Sequence, residues 1–240
     1  MNISVVVPVK NEADNVSPLV EEIRQALAGM SYEIIYVDDG SSDGTWPVLR
    51  TLMATIPELC VLRHRVSCGQ STAVLTGVRH ARAPLIVTLD GDGQNDPADI
   101  PGMLQIWHRE ESSGGMPIGC IAGWRTKRND NRLRKISSRV ANAVRSRLLG
   151  DLTPDTGCGL KLFSRDTFMR LPYFDHMHRF LPALFMREGT RVVSVPVNHR
   201  PRERGVSKYG LHNRLWVGLV DIAGVMWLLR RAKNPEIVKD

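Results

Sequence analysis

The sequence predicts an α/β domain with a mostly parallel sheet flanked by helices. Short β-branched runs alternate with helix-length amphipathic segments. Acidic residues follow the first, second and fourth predicted strands, where a sheet of this kind opens its ligand crevice. Proline recurs near the predicted helix starts, where its missing N–H costs nothing.

Ile3–Val9 reads as a buried strand that stops in Lys10-Asn11-Glu12. Ser17 as cap and Pro18 at the first helical position predict a helix there, striped by Leu19, Ile23 and Leu27 and ended by Gly29. A second strand, Tyr32–Val37, runs into the acidic turn Asp38–Thr45, and Pro47 stands near the start of a helix reaching about Ile56. Leu59–Leu62 predicts a third strand, Gln70–His80 a helix and Pro84–Thr88 a fourth strand. Farther on, Val192–Val197 reads as a strand and Leu215–Leu229 as an apolar helix. The first strand lacks a following G-x-G-x-x-G, which disfavours a dinucleotide-binding domain.

The fourth strand delivers Leu89-Asp90-Gly91-Asp92-Gly93-Gln94-Asn95-Asp96-Pro97. Two carboxylates one residue apart, with the Gln94 carbonyl beside them, suit a hard divalent ion, Mg²⁺ or Mn²⁺, that keeps positions open for phosphate. Gly91 and Gly93 allow close approach of a bulky ligand. An acidic turn capping the next helix explains Asp96 before Pro97, but not Asp90 and Asp92 together. Asp38 and Asp43 read equally well as solvated turn residues.

The net charge of +7 is uneven: residues 1–121 carry −7 and residues 122–240 carry +14. The basic half fits phosphorylated ligands, nucleic acid or an anionic membrane surface. Nucleic acid is disfavoured, since aromatics are not interleaved with the basic residues. Cys60, Cys68, Cys120 and Cys158 show no C-x-x-C pair, so free thiols in a reducing compartment are expected. The apolar start lacks a basic leader, and a cytoplasmic location is expected. The seven histidines form no metal spacing beyond the weak His176-x-His178 pair, and none is assigned.

VVVPVKNEADN, VDDGSSDGT, LDGDGQNDP, DTGCGLKLFSRD and PRERGVSKYG occur in that order. The ordered set resembles the family 2 inverting glycosyltransferases of GT-A fold, in the branch of dolichol-phosphate mannose synthase and bacterial polyprenyl-phosphate glycosyltransferases. The likeness runs from Ile3 to about Arg231. It implies a GT-A domain over 1–210, with a nucleotide and metal half (1–121), an acceptor half with a basic loop (122–210), and a C-terminal helix and tail (211–240). It implies transfer from a nucleotide-diphosphate sugar to a polyprenyl phosphate at the inner membrane face. A polysaccharide acceptor, or a non-catalytic nucleotide-sugar-binding subunit, are the alternatives.

By this resemblance Pro8, Glu12, Val37, Asp39, Asp90 and Gly91 bind the nucleotide, while Asp92 and Gln94 hold the metal. Arg125, Arg134 and Ser138 meet the acceptor phosphate, and Arg202 and Lys208 close over the donor diphosphate. Asp92, Arg134, Arg202 and Lys208 carry the catalytic step. Lys10 departs from the aromatic residue that relatives often carry, which leaves uridine or guanosine open. Asp155 is a candidate sugar or metal-shell ligand, or a cap on the turn at Gly157 and Gly159.

A phosphate monoester with a second pKa of about 6 is mostly dianionic at neutral pH, so a lipid-phosphate acceptor needs cations rather than a base. Trp124–Leu148 carries nine Lys/Arg against Asp130 alone, which fits that need. Arg134, Ser138 and Asn142 share one helical face. The C-terminal helix rises about 22 Å over its 15 residues, short of a hydrocarbon core of roughly 30 Å. Its stripe of Leu215, Leu219, Ile222, Met226 and Leu229, with Trp216 and Trp227, fits a membrane interface, or packing on the domain or on a second protomer.

Overall fold

A computed structural model describes residues 1–126, 145–151, 153–202 and 213–233, with backbone alone for 213–217. Its centre is a seven-stranded sheet in the order β3-β2-β1-β4-β6-β5-β7. The strands are β1 (Ile3–Val9), β2 (Tyr32–Asp38), β3 (Leu59–Arg63), β4 (Leu85–Thr88), β5 (Ile118–Arg125), β6 (Lys161–Ser164) and β7 (Arg191–Val197). Between them run α1 (Ala13–Ala26), α2 (Thr45–Met53), α3 (Gln70–His80), α4 (Ile100–Ser112), α5 (Arg165–Arg170) and α6 (Leu181–Arg187), and α7 (Asn213–Arg230) follows β7. All pairings are parallel except those of β6, which runs antiparallel between β4 and β5.

Strand periodicity divides the core between two faces. Val5 and Val7 of β1, Val87 of β4 and Leu162 of β6 pack with α1 and α4 through Leu19, Ile23, Met103 and Trp107. Val6, Ile86 and Phe163 point the other way, onto Val74, Val78, Phe168 and Phe185. Continuous apolar strands are what burial on both faces requires.

β1 lies between β2 and β4, with the chain leading outward to β3 before it returns to β4. The strand order therefore reverses between β1 and β4, and a crevice opens beyond their carboxyl ends. Backbone bonds hold that rim together: Leu89 N–H donates to Val6 O at 3.2 Å, and Asp39 N–H to Val9 O at 2.8 Å.

One predicted boundary is corrected. α1 begins at Ala13, not at Ser17, with Pro18 inside it. The preceding turn explains the early start: Glu12 N–H donates to Thr45 Oγ1 at 2.9 Å, which anchors the chain before the helix. Pro18 removes only the bond to Asp14 near the helix end, where the backbone adjusts readily. Asp38 is likewise no solvated turn residue. It is fully buried, accepting from Ser41 N–H at 2.9 Å and pairing with Arg63 at 3.2 Å. Asp96 caps as expected, accepting from Ala98 N–H at 3.0 Å.

α7 packs one face on its own domain. Val225 is buried, and Ile222, Met226 and Leu229 join the second core face. Arg187 Nε donates to Leu228 O at 3.3 Å. Leu219 lies off the packed stripe; with Val220 and Trp227 it forms an exposed apolar face that continues to Arg230, Arg231 and Lys233. No helix among the described residues is long and apolar enough to cross a membrane.

Candidate active site

Two cavities open along the rim, of about 480 and 550 Å³. The smaller is lined by Pro8, Glu12, Asp39, Asp90, Gly91, Asp92 and Arg202, seven of the residues assigned above. The larger contains Arg125, with Arg145, Asp155 and Lys161. Pro8, Gln70, Asp90, His178 and Arg179 line both, so the cavities meet at Asp90.

Val37 lines neither cavity: its side chain is buried in the second core face. Gln94 lines neither cavity, its amide Nε2 donating to Arg200 O at 3.3 Å. Arg134, Ser138 and Lys208 lie outside the described residues.

Asp39 is held on the floor of the smaller cavity by the β3–α3 loop. One oxygen accepts from Cys68 N–H at 2.7 Å and lies 2.7 Å from His64 Nδ1; the other accepts from Ser67 Oγ at 2.7 Å and Gly69 N–H at 3.0 Å. Burial raises its pKa, but these bonds outweigh burial and hold the carboxyl below its ordinary value. Gly69, at φ +88, turns the chain into α3. Sequence reasoning did not single out this loop, although the strand–helix alternation puts it on the same rim.

Asp90 accepts from Gln70 Nε2 at 2.9 Å, and its backbone N–H donates to Asn95 Oδ1 at 3.0 Å. Burial and then the Asp92 carboxylate push its pKa up to about 6, against Lys161, Arg125 and Gln70. Two glycines make room for this motif. A Cβ at Gly91 would stand 2.3 Å from Val9 Cγ1, and one at Gly159 between 2.2 and 2.5 Å from the Asp90 carboxyl. Antiparallel β6 supplies the second glycine: Lys161 pairs with Thr88, whose hydroxyl donates to Gly159 O at 2.8 Å.

In Asp92, Oδ1 accepts from Gln94 N–H at 3.1 Å and Oδ2 lies 3.9 Å from Arg202 Nη1. Arg202 also pairs with Glu12, which brings the residues after β7 over the end of β1. Asp92 offers a carboxylate and Gln94, two positions on in the chain, an amide oxygen, hard donors of the kind a divalent ion takes.

The larger cavity is floored by paired cations. Arg125 forks onto Asp155, with Nε at 2.6 Å and Nη2 at 2.9 Å. Arg145 forks onto Asp151 at 2.7 and 3.0 Å, and Lys161 Nζ donates to Thr156 O at 3.2 Å and to Cys158 O. The Asp155 carboxylate thus holds Arg125.

The mixed sheet with an acidic motif at its strand switch defines the GT-A class of fold. Residues 4–171 match the family described as Glycosyl transferase family 2. The chain belongs to that family and is a glycosyltransferase. It is 36% identical over 241 residues to the dodecaprenyl-phosphate galacturonate synthase of Rhizobium johnstonii, covering 98% of this chain and 69% of the relative. It is 34% identical over 213 residues to the undecaprenyl-phosphate 4-deoxy-4-formamido-L-arabinose transferase of Edwardsiella ictaluri, covering 87% of this chain and 63% of the relative. The chain thus spans about two thirds of the length of these relatives.

Among solved structures, the mannosyltransferase of Pyrobaculum calidifontis in complex with GDP-Man and Mn²⁺ shares the fold with a TM-score of 0.69 at 23% identity, over 98% of this chain and 66% of that one. Glucosyl-3-phosphoglycerate synthase of Mycobacterium tuberculosis, in complex with Mn²⁺, uridine diphosphate and phosphoglyceric acid, shares it with a TM-score of 0.67 at 20% identity, over 98% and 80%.

Proposed function

We propose that this chain is a metal-dependent, inverting glycosyltransferase that moves a sugar from a nucleotide diphosphate to a polyprenyl phosphate at the cytoplasmic membrane face. The observation that carries the reading is the junction at Asp90 of an acidic cavity and a cation-lined one. One suits a nucleotide sugar and the other an anionic acceptor, so a donor in the first presents its anomeric carbon to the second. The two sequence relatives, both named for polyprenyl-phosphate chemistry, support the acceptor class.

In this reading the acceptor phosphate oxygen attacks the anomeric carbon in a single displacement. The bond from that carbon to the diphosphate oxygen breaks with inversion, and its electron pair leaves with the nucleoside diphosphate. Asp92 and Gln94 would hold Mg²⁺ or Mn²⁺, whose charge stabilises the departing diphosphate when bound. Arg202 adds a guanidinium suited to phosphate oxygens. Asp39 and Glu12 present carboxylates to the nucleoside. Asp155 holds Arg125 toward the acceptor side, with Arg134 and Ser138 assigned to the same phosphate and Lys208 to the donor diphosphate. No general base is needed, because the nucleophile arrives ionised.

We assign catalysis to 1–210 and membrane contact to 211–240. The exposed face of Leu219, Val220 and Trp227, edged by Arg230 and Arg231, supports contact with an anionic lipid surface. Incubation with polyprenyl phosphate, divalent metal and a panel of nucleotide sugars tests the activity: labelled lipid product identifies the donor, and its absence across the panel refutes the assignment.

A further inference from the structure

His178 lies in the short turn Met177–Arg179 and lines both cavities, as Gln70 and Asp90 also do. Its ring Nδ1 is 2.7 Å from Ser71 Oγ, in the first turn of α3. The His178 backbone N–H donates to the same oxygen at 3.2 Å.

This pair fixes the tautomer. Ser71 is 1% exposed, and a buried hydroxyl keeps its hydrogen bonded. Among the described residues, Nδ1 is the one acceptor within reach of the Ser71 hydroxyl. The hydroxyl therefore donates to Nδ1, and Nε2 carries the ring proton. Nε2 has no hydrogen-bond partner among the described residues. Burial first, then Arg179, Lys161 and His176, lowers the pKa of the ring to about 3, so it stays neutral.

A neutral N–H in a cavity that also holds the Asp90 carboxylate matches a sugar hydroxyl, which offers both a lone pair and a proton. A phosphate oxygen would be served better by a cation, and Arg202 and Arg179 offer guanidinium groups in the same cavity, whereas the neutral ring does not. We propose that His178 binds the donor sugar, its Nε2–H hydrogen-bonding a hydroxyl oxygen of the transferred sugar, with Ser71 as the residue that positions it. This rests on the function proposed above and deepens it by assigning a sugar-recognition residue.

The test has two arms. Long-range ¹H–¹⁵N correlations on the ligand-free protein read the His178 tautomer without any substrate; Nε2–H is expected, and Nδ1–H would overturn the proposal. The second arm uses UDP-glucose, UDP-galacturonate and GDP-mannose, with UDP and GDP alone as references. Gln reproduces the position of Nε2–H, and Asn that of Nδ1. His178→Asn is expected to lower kcat/KM about tenfold or more, and His178→Gln to stay within about threefold of wild type. Both should bind UDP or GDP alone as wild type does. A His178→Asn protein that transfers sugar as well as wild type, or that loses UDP and GDP binding to the same degree, overturns it. Should wild type transfer none of the three sugars, the functional assignment fails for those donors. The tautomer, and the affinity of each variant for nucleotide sugar against bare nucleotide, then still decide the role of His178.

Discussion

Asp155 grips Arg125 with both carboxylate oxygens, Nε at 2.6 Å and Nη2 at 2.9 Å, at the edge of the cation-lined cavity. The Arg125 side chain is 16% exposed and that of Asp155 6%, so the pair is shielded from solvent screening. The Asp155 carboxylate holds the Arg125 pKa above its ordinary value, although burial acts to lower it. Removing one partner of such a pair strands the other charge. Asp155→Ala is expected to cost about 3 kcal/mol in urea unfolding and to lower kcat about 100-fold or more by freeing Arg125. Unchanged kcat would show that the fork serves stability alone.

Gly159 tests how tightly Asp90 is placed. Gly159→Ala puts a methyl within 2.5 Å of the Asp90 carboxyl and is expected to lower transfer at least about 100-fold with the circular dichroism spectrum retained. Gly102→Ala is the control, because Gly102 lies on the exposed face of α4 and a Cβ there meets nothing within 4 Å. It should leave activity unchanged and add up to about 1 kcal/mol of stability from helix propensity.

Glu33 gives the fold a dependence on pH away from the site. Burial raises its pKa, but the Ser4 hydroxyl, the Arg82 backbone N–H and the Arg82 guanidinium outweigh burial and hold it below its ordinary value of 4.5. The folded protein thus binds its proton less readily than the unfolded chain does. The contribution is complete above the ordinary value and is lost as pH falls through the depressed one. The melting temperature should therefore drop as pH is lowered below about 4.5, and Glu33→Gln should flatten that part of the profile. An identical profile in the variant would contradict the assignment.

α7 exposes Leu219, Val220 and Trp227 on one face. The chain is expected to float with anionic vesicles, and Leu219→Glu with Trp227→Glu should leave it in the pellet fraction without unfolding it. Flotation equal to wild type in the double variant would assign membrane contact to another surface.

Much of this was legible in the chain itself, for physical reasons. Buried parallel strands demand continuous apolar runs, so β1 and β4 stood out, and their ends located Asp90 and Asp92. α3 was marked at both ends by its neighbours and was read over Gln70–His80, as it is found. What escaped were partnerships made across the sheet. The fork of Arg125 on Asp155 spans 30 residues, and the Ser71–His178 bond spans 107. Neither has a local signature, since β6 returns antiparallel to bring them together. Strand alternation turns the Val37 side chain to the core, so the sequence pattern alone does not place it on a cavity wall. Pro18 misled because the turn at Glu12 and Thr45 had already started α1.

The central claim is transfer to an ionised lipid phosphate with a metal on Asp92. Its most direct test is formation of labelled polyprenyl-phosphate sugar by wild type and Asp92→Ala, each with Mn²⁺ and with excess chelator. Product is expected from wild type with metal, with a loss of at least about 1,000-fold in the variant and none with chelator. Product formed by Asp92→Ala in chelator at the wild-type rate would contradict it.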